Sequence, residues 1–550
     1  MTPAPASRAS HPTAIVDLTS TAPTVESDSV YDRRWWTLGV LCMSLILVVI
    51  GNSSLNVALP ELATEFNATN AQLQWVVAGY SLVFAGLLFT TGALGDRFGR
   101  KGALQAGLVI FLVGTTAAAF AGSMTVLIIC RLVMGAGAAL VMPSTLSILV
   151  NVFPAEERTR AIAIWAGITG GAAAFGPVAS GWLLNHSTVG SVFLINVPVI
   201  LVALVAGHFL VPTSKDPFHE KLDLAGAVLS SVGIGLLVYG LIEAPEIGWS
   251  DPKTTIAFVG AAIFLAAFVA WEMRSPHPML DMKLFKNPAF STAAGGMLLV
   301  FLAMYGVMFL ITMYFQFVLG YSPLETAIRM LPITPLMIYI APQTPKISAR
   351  FGTNRTVAFG LGLVTLGLIG FRGLGLETPY WYTLAALAIL VIGISLASTP
   401  MTSSMMSAVP PNRAGQGSSM NDATRELGAA LGVAVLGSIA TSHYATAIAD
   451  SARSLPGPAR EAATNSLAEA LGVASKLPGE AGAALSRSAD LAYVGGVHLA
   501  VTIGAVLTAI ASILVYRYLP SVTEHGATEP AFETSAESHA NSGNPLVYAD

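Results

Sequence analysis

The chain has 550 residues, 54% of them hydrophobic and 11% charged, against about 25% charged in an ordinary soluble domain. That composition argues against a soluble multidomain enzyme. The formal net charge of −4, from 27 Lys and Arg against 31 Asp and Glu, supplies no global basic field for nucleic acid.

Residues 1–34 are rich in Ser, Thr, Pro and Ala and lack the basic start and short apolar core of a secretory signal. They read as a disordered cytoplasmic tail. Apolar runs of spanning length, about 20 residues each, begin near Trp35, Gln74, Ala103, Val126, Arg160, Val189, Leu222, Thr254, Ser291, Thr326, Arg355, Tyr380, Asn421 and Asp490. The expectation is an all-α membrane protein with fourteen transmembrane helices. Cys42 and Cys130 fall inside apolar runs and read as small hydrophobes, with no disulfide framework or thiolate metal site. The stretch 447–489 is long and rich in Ala, Ser and Gly, and reads as a mobile, partly helical external connector. Residues 520–550 show no apolar period and read as a second disordered cytoplasmic tail.

Basic residues alternate between loops. Arg33, Arg34, Arg97, Arg100, Lys101, Arg158, Arg160, Lys215 and Lys221 fall on one side of the predicted membrane, joined further on by Lys283, Lys286, Lys346, Arg350 and Arg413. That side is expected to be the cytoplasm, with both termini on it. An internal repeat is visible in the same loops. "GALGDRFGRKGAL" (Gly92 to Leu104) and "PKISARFGTNRTV" (Pro345 to Val357) share Arg-Phe-Gly at 97–99 and 350–352. The copies stand eight predicted helices apart, an even offset that keeps both on one face, as in parallel repeats. Six helices per half (35–212 and 281–519) with two inserted between them (213–280) make fourteen.

The loop "GDRFGRK" combines turn glycines with an acid and cations where two helices meet the cytoplasm. Asp96 can cap or pair with a neighbouring helix, and Arg97 can reach lipid headgroups. Alone, this is also what a basic cytoplasmic hairpin looks like. The full string resembles the loop signature of the major facilitator superfamily. "RLVMGAGAALVMPS" (Arg131 to Ser144) is similar to its fourth-helix motif, and "GITGGAAAFGPVASG" (Gly167 to Gly181), with the pair Gly176-Pro177, to its fifth-helix antiporter motif. "LNVALPELATEF", "LQWVVAGYSL", "FLINVP", "YFQFVLGYSP" and "NDATRELGAALGVAVLGS" resemble the fourteen-helix drug:proton antiporter branch. The resemblance runs from about Trp35 to Leu519. It implies two parallel six-helix bundles and export of lipophilic small molecules driven by a proton gradient, without a cofactor, by a monomer working in the lipid bilayer.

A charged side chain at mid-helix costs about 2.5–3.5 kcal/mol on insertion scales. Arg131, about seven residues or roughly 10 Å into its helix, should therefore face an interior and have a partner; the resemblance implies that it couples proton movement to substrate binding. The same branch carries an aspartate in the first helix at the position occupied here by Gly51. Asn52, Ser53 and Asn56 are left as neutral candidates to bond the guanidinium, and Gly51→Asp is expected to broaden recognition of cationic drugs. Asp422 and Glu426, with Arg425 between them, share one helical face. They read as N-terminal capping with a surface ion pair, as a gate against the Asp96 loop, or as a proton site.

The resemblance places substrate contacts on the helices that hold Asn52 and Asn56, Arg131 and Ser144, Tyr305, Tyr314 and Gln316, and Thr399 and Ser403. Two other readings stand beside export of varied drugs. One is a dedicated exporter of one endogenous metabolite or self-made antibiotic. The other is an intramembrane enzyme, which needs acids, His or Ser converging at one depth; no such cluster is seen in the sequence, and no metal site. The absence of a phosphate-binding G-x-x-x-x-G-K-[ST] loop argues against ATP as the driving force.

Overall fold

Helix ends in this chain follow local chemistry. Thr69 accepts from the backbone N–H of Gln72, and the Gln72 side chain bonds back to the Thr69 N–H, a reciprocal cap. Ser123, Asp223, Asp251, Asn287 and Ser322 cap later helices through their side chains. The computed structural model describes residues 26–213, 223–409 and 414–521. Its helices are α1 (Glu26–Glu65), α2 (Asn70–Phe98), α3 (Arg100–Ala119), α4 (Met124–Val152), α5 (Ala155–His186), α6 (Gly190–Leu194), α7 (Asn196–Leu210), α8 (Leu224–Ile247), α9 (Pro252–Glu272), α10 (Pro288–Met313), α11 (Pro323–Met330), α12 (Ile333–Ile340), α13 (Thr344–Phe351), α14 (Thr353–Gly370), α15 (Tyr380–Ser407), α16 (Ala414–Ala452), α17 (Gly457–Asn465), α18 (Leu467–Ala474) and α19 (Gly479–Tyr518). Among the described residues, thirteen segments are long and apolar enough to cross a membrane. The 32-residue α5 is long enough to be a fourteenth. One of the thirteen joins α6 and α7, and another is broken into α11, α12 and α13.

The repeat seen in sequence is also a repeat of backbone geometry. Gly99 and Gly352 take φ of 116° and 91°, a region that favours glycine. Each ends one helix through its own N–H, to Gly95 O and Ser348 O, and opens the next. Arg97 and Arg350 lie over the rings of Phe98 and Phe351 at 5.3 and 5.4 Å. The helices that follow cross at paired glycines. A Cβ on Gly107 or Gly137 would stand 2.8 Å from the other's carbonyl oxygen, and Gly360 and Gly393 face each other in the same way. Backbone-to-backbone approach of this kind replaces hydrophobic driving force inside a membrane.

Two expectations are corrected. The segment 26–34, read as part of a disordered tail, is the first turns of α1; there Arg34 makes a two-pronged ion pair with Glu157 at the start of α5, at 2.7 and 3.1 Å. The stretch 447–489, read as a mobile connector, is helical over most of its length. It continues α16, folds into α17 and α18, and starts α19. The Tyr444 hydroxyl donates to Ala463 O or Ser466 O, and Ala463, Leu467 and Ala470 are buried. Alanine and leucine at helical spacing, which a compositional reading takes for a linker, here make a packed cap. The end of the molecule under it is called the cap end below, and the opposite one the Gly99 end. Residues 1–25 and 522–550, which hold most of both expected tails, lie outside the described residues, as does Arg413.

The first half packs α3 on α4, α2 on α4 and α1 on α5; the second packs α14 on α15, α10 on α16 and α14 on α19. The halves meet along two seams, α2 against α16 and α5 against α11. On the second seam a Cβ on Gly181 would stand 2.7–2.9 Å from backbone atoms of Pro323 and Leu324. Gly167 lies on nearly the same face of α5, about 21 Å nearer the Gly99 end, and has nothing within 4 Å of its Cβ position. The α5–α11 contact is tight at Gly181, toward the cap end. The cap closes over the mouth, with Asn70 Nδ2 donating to Asn465 O at 3.0 Å and Gln316 Nε2 reaching across the halves to Val57 O at 2.9 Å.

Candidate functional site at the junction of the halves

Arg131 is completely buried on α4. Its Nε donates to Val76 O of α2 at 3.0 Å and its Nη1 to Gly51 O of α1 at 2.8 Å. The guanidinium carbon lies 4.4 Å from the centre of the Tyr80 ring, a stacked cation–π arrangement. Val76 and Tyr80 are one turn apart on α2, so a single helix face supplies an acceptor carbonyl and an aromatic ring.

The partners differ from those expected. Asn52, Ser53 and Asn56 do not hold the guanidinium; backbone carbonyls do. Asn52 Oδ1 and Ser53 Oγ are buried with no hydrogen bond, and Ser53 with Ser54 packs on the fifth-helix motif. Ser54 Oγ donates to Gly176 O at 3.1 Å, and a Cβ on Gly176 would meet Ser53 Oγ. Gly176-Pro177 thus serves as a contact with α1. The Gly51 Cβ position points at Phe111, 2.8 Å from a ring carbon, and at the Met134 methyl. An aspartate there would start out toward α3.

The acid within electrostatic reach of Arg131 comes from the other half. Glu426 on α16 lies within electrostatic reach of Arg131, Arg425, Asp422, Tyr80 and Tyr305. Ser81 Oγ stands beside its carboxylate, yet neither Ser81 Oγ nor Glu426 Oε2 closes a hydrogen bond. Arg131 Nη2 is likewise unbonded. The aromatic wall continues through Tyr305, whose ring stacks on Phe301 at 6.3 Å, and Arg425 lies over the opposite neighbour ring of that pair, Phe301, at 4.7 Å. Asp422 accepts from Asn421 Nδ2 at 3.2 Å, while Asn421 Oδ1 accepts from Thr402. Helix α16 begins at Ala414, so Asp422 and Glu426 lie two and three turns inside it. N-terminal capping is therefore not their role.

The remaining expected residues are dispersed. Tyr314 is fully buried and its hydroxyl donates to Gly375 O at 2.6 Å; with Gln316 it belongs to the π-helical turn Tyr314–Val318 that ends α10. Both are ties in the wall at the cap end. Ser144 is buried without a hydrogen bond, beside Gly95 on the α2–α4 contact. Thr399 and Asn56 are half-buried, Ser403 is exposed, and Arg97 is exposed at the Gly99 end. The side chain of Asp96 lies outside the described residues. The structure therefore joins Arg131, Glu426, Arg425 and Tyr305, and adds Tyr80, Ser81 and Phe301, which sequence reasoning missed. Tyr80 and Ser81 stand in "LQWVVAGYSL", and a Tyr-Ser pair in a spanning helix was the available signal.

Two helical halves related by a repeat, a buried cation and an acid of the other half within its electrostatic reach define a membrane transporter of the two-bundle class. Residues 41–433 match the family model of the Major Facilitator Superfamily, and the chain belongs to that family. It is 34% identical over 484 residues to the multidrug efflux pump LfrA of Mycolicibacterium smegmatis, covering 88% of this chain and 96% of that protein. To the tetracenomycin C resistance and export protein of Streptomyces glaucescens it is 32% identical, covering 88% of this chain and 91% of the relative. The methyl viologen resistance protein SmvA of Salmonella typhimurium is 32% identical, covering 84% and 93%. Among solved structures, a bacterial homolog of the human lysosomal transporter Spinster superposes with a TM-score of 0.63 at 18% identity, over 88% of this chain and 96% of that one. That likeness establishes the fold.

Proposed function

We propose that this protein is a proton-coupled antiporter that exports lipophilic small molecules, aromatic drugs or antibiotics among them, across the cytoplasmic membrane, with both termini inside. The observation that carries the reading is buried Arg131, bonded to carbonyls of the first half with Nη2 left unbonded, with Glu426 of the second half within its electrostatic reach. Ionised Glu426 attracts Arg131 and draws the halves together; protonated Glu426 releases that attraction. A proton taken from one side and given up on the other thereby couples to rocking of the bundles about the central site. Tyr80, Tyr305 and Phe301 provide flat apolar surface beside the charges, suited to planar aromatic cargo. The names of the relatives, which speak of multidrug efflux, tetracenomycin C and methyl viologen, support drug export. The basic loops at the Gly99 end support a cytoplasmic location for it.

The test uses purified protein in liposomes with an internal pH dye, an imposed proton gradient, and lipophilic cationic, neutral and anionic compounds. Substrate-dependent proton flux is expected in the unmodified chain and its loss in Arg131→Ala. Glu426→Gln, which cannot ionise, is expected to move substrate down its own gradient without proton flux. Substrate movement without proton flux in the unmodified chain would make the protein a facilitator. A response to one compound alone would favour a dedicated exporter.

A further inference from the structure

Helices α8 and α9 interrupt the repeat, and neither the central site nor the family fold assigns them work. Helix α8 lies over the α2–α16 seam and packs against both halves, while α9 packs chiefly on α8 and exposes Ile256, Val259 and Ile263. Among the described residues, Trp271 Nε1 of α9 donates to Asp223 at the cap of α8, and every hydrogen bond from α8 to a spanning helix outside the hairpin goes to α2. Glu243 accepts from Trp75 Nε1 at 2.9 Å, Glu246 accepts from the Ala71 N–H at 3.0 Å, and Ser231 Oγ donates to Gly86 O at 3.3 Å. These ties are spread along the whole length of α8. Its face toward the second half is different: it packs on α16 with no hydrogen bond among the described residues, and Glu246 lies within electrostatic reach of Glu469 of the cap helix α18.

We propose that the inserted hairpin α8–α9 is a fixed part of the first half, and that the transport motion takes place between it and the second half, with the α8–α16 face as the slip plane. The proposal rests on the alternating-access reading above. Directional bonds hold a helix to its neighbour in register, whereas apolar side chains in lipid slide with little cost and like charges favour separation. By covering the α2–α16 seam from outside, the hairpin keeps lipid out when that seam parts. The linker between α9 and α10, residues 273–287, takes up the displacement.

Two cysteine pairs test this in the full chain, in a Cys42→Ala, Cys130→Ala background. A Cβ on Gly86 would stand 3.4 Å from Ser231 Cβ, close to the roughly 3.5–4.5 Å of disulfides, so Gly86→Cys with Ser231→Cys should oxidise readily. Glu246→Cys with Glu469→Cys is joined by a short bis-methanethiosulfonate. Dye export from proteoliposomes is compared in each variant before linking, after linking, and after reduction. Export should survive the Gly86–Ser231 link, and should be lost on the Glu246–Glu469 link and restored by reductant. Loss with the first link, or survival with the second, overturns the proposal. Spin labels at the same two pairs in nanodiscs need no cargo: one narrow distance is expected for 86–231 and a broad or double distribution for 246–469. Absent dye export in every reduced form and in the unmodified chain would defeat the export reading, while the distances still decide the hairpin's allegiance.

Discussion

At Gly51 the chain lacks the acid that the resembling branch carries, and the structure shows why simple restoration is costly. The Cβ of any residue at 51 would stand 2.8 Å from the Phe111 ring, and overpacking of this kind costs about 1–3 kcal/mol. Gly51→Asp is therefore expected to lower the thermal midpoint of the detergent-solubilised protein, and Gly51→Asp with Phe111→Ala to recover part of it. An unchanged midpoint in the single variant would show that Phe111 yields freely and that the broadened cation recognition expected from sequence deserves testing. Arg131 itself was legible in sequence, because a lone charge deep in an apolar run demands an interior. Its partner was not, since Glu426 stands 295 positions away and only the docking of two halves brings it near. Tyr314 and Gln316 illustrate a related point: residue type announces hydrogen-bonding capacity, and only the fold reveals the wall carbonyls, Gly375 O and Val57 O, that use it.

Among the elements, the cap is where sequence and structure part most clearly. Helices α17 and α18 are too short to register as apolar periods, and their composition is that of a linker; burial of Ala463, Leu467 and Ala470 becomes visible only when α16 and α19 stand beside them. The cap also carries a pH signature. Glu469 has its carboxyl pushed above the ordinary range by burial first, with Ser466 and Asn465 pulling it back through hydrogen bonds and the negative charges of Glu246 and Glu461 pushing it further. A carboxyl raised in the docked state docks best when protonated. The cap should therefore hold most firmly below the ordinary carboxylate range and loosen as pH rises through the raised value. Hydrogen exchange over 457–474 should show protection falling with pH in the unmodified chain, after correction for intrinsic rates, and staying level in Glu469→Gln. The same slope in both would remove Glu469 from the account.

For the molecule as a whole, the count of spans, the two inserted helices and the parallel repeat all followed from apolar length, alternating loop charge and one shared tripeptide. Those are properties that a bilayer imposes on any chain crossing it, which is why they could be read without a structure. The state in which the halves are held could not be read, because it depends on which surfaces touch. Here α5 and α11 touch at Gly181. Gly181→Val should wedge the halves apart at the cap end, since the groups it would strike are backbone atoms with no room to rotate away. In the cysteine-free background with Ala63→Cys, a buried position under the cap, thiol labelling should accelerate several-fold when Gly181→Val is added. Unchanged labelling would mean that this seam does not set the opening at that end.

The anchorage of Arg131 has one more consequence. Its acceptors are the carbonyls of Gly51 and Val76, and no side-chain substitution at either position can delete a carbonyl. Short of replacing Arg131 itself, mutation cannot silence these bonds; sliding α1 or α2 can. The arginine thus gauges the spacing of two helices more than the identity of its neighbours, so drift in the side chains around it leaves that gauge at its zero.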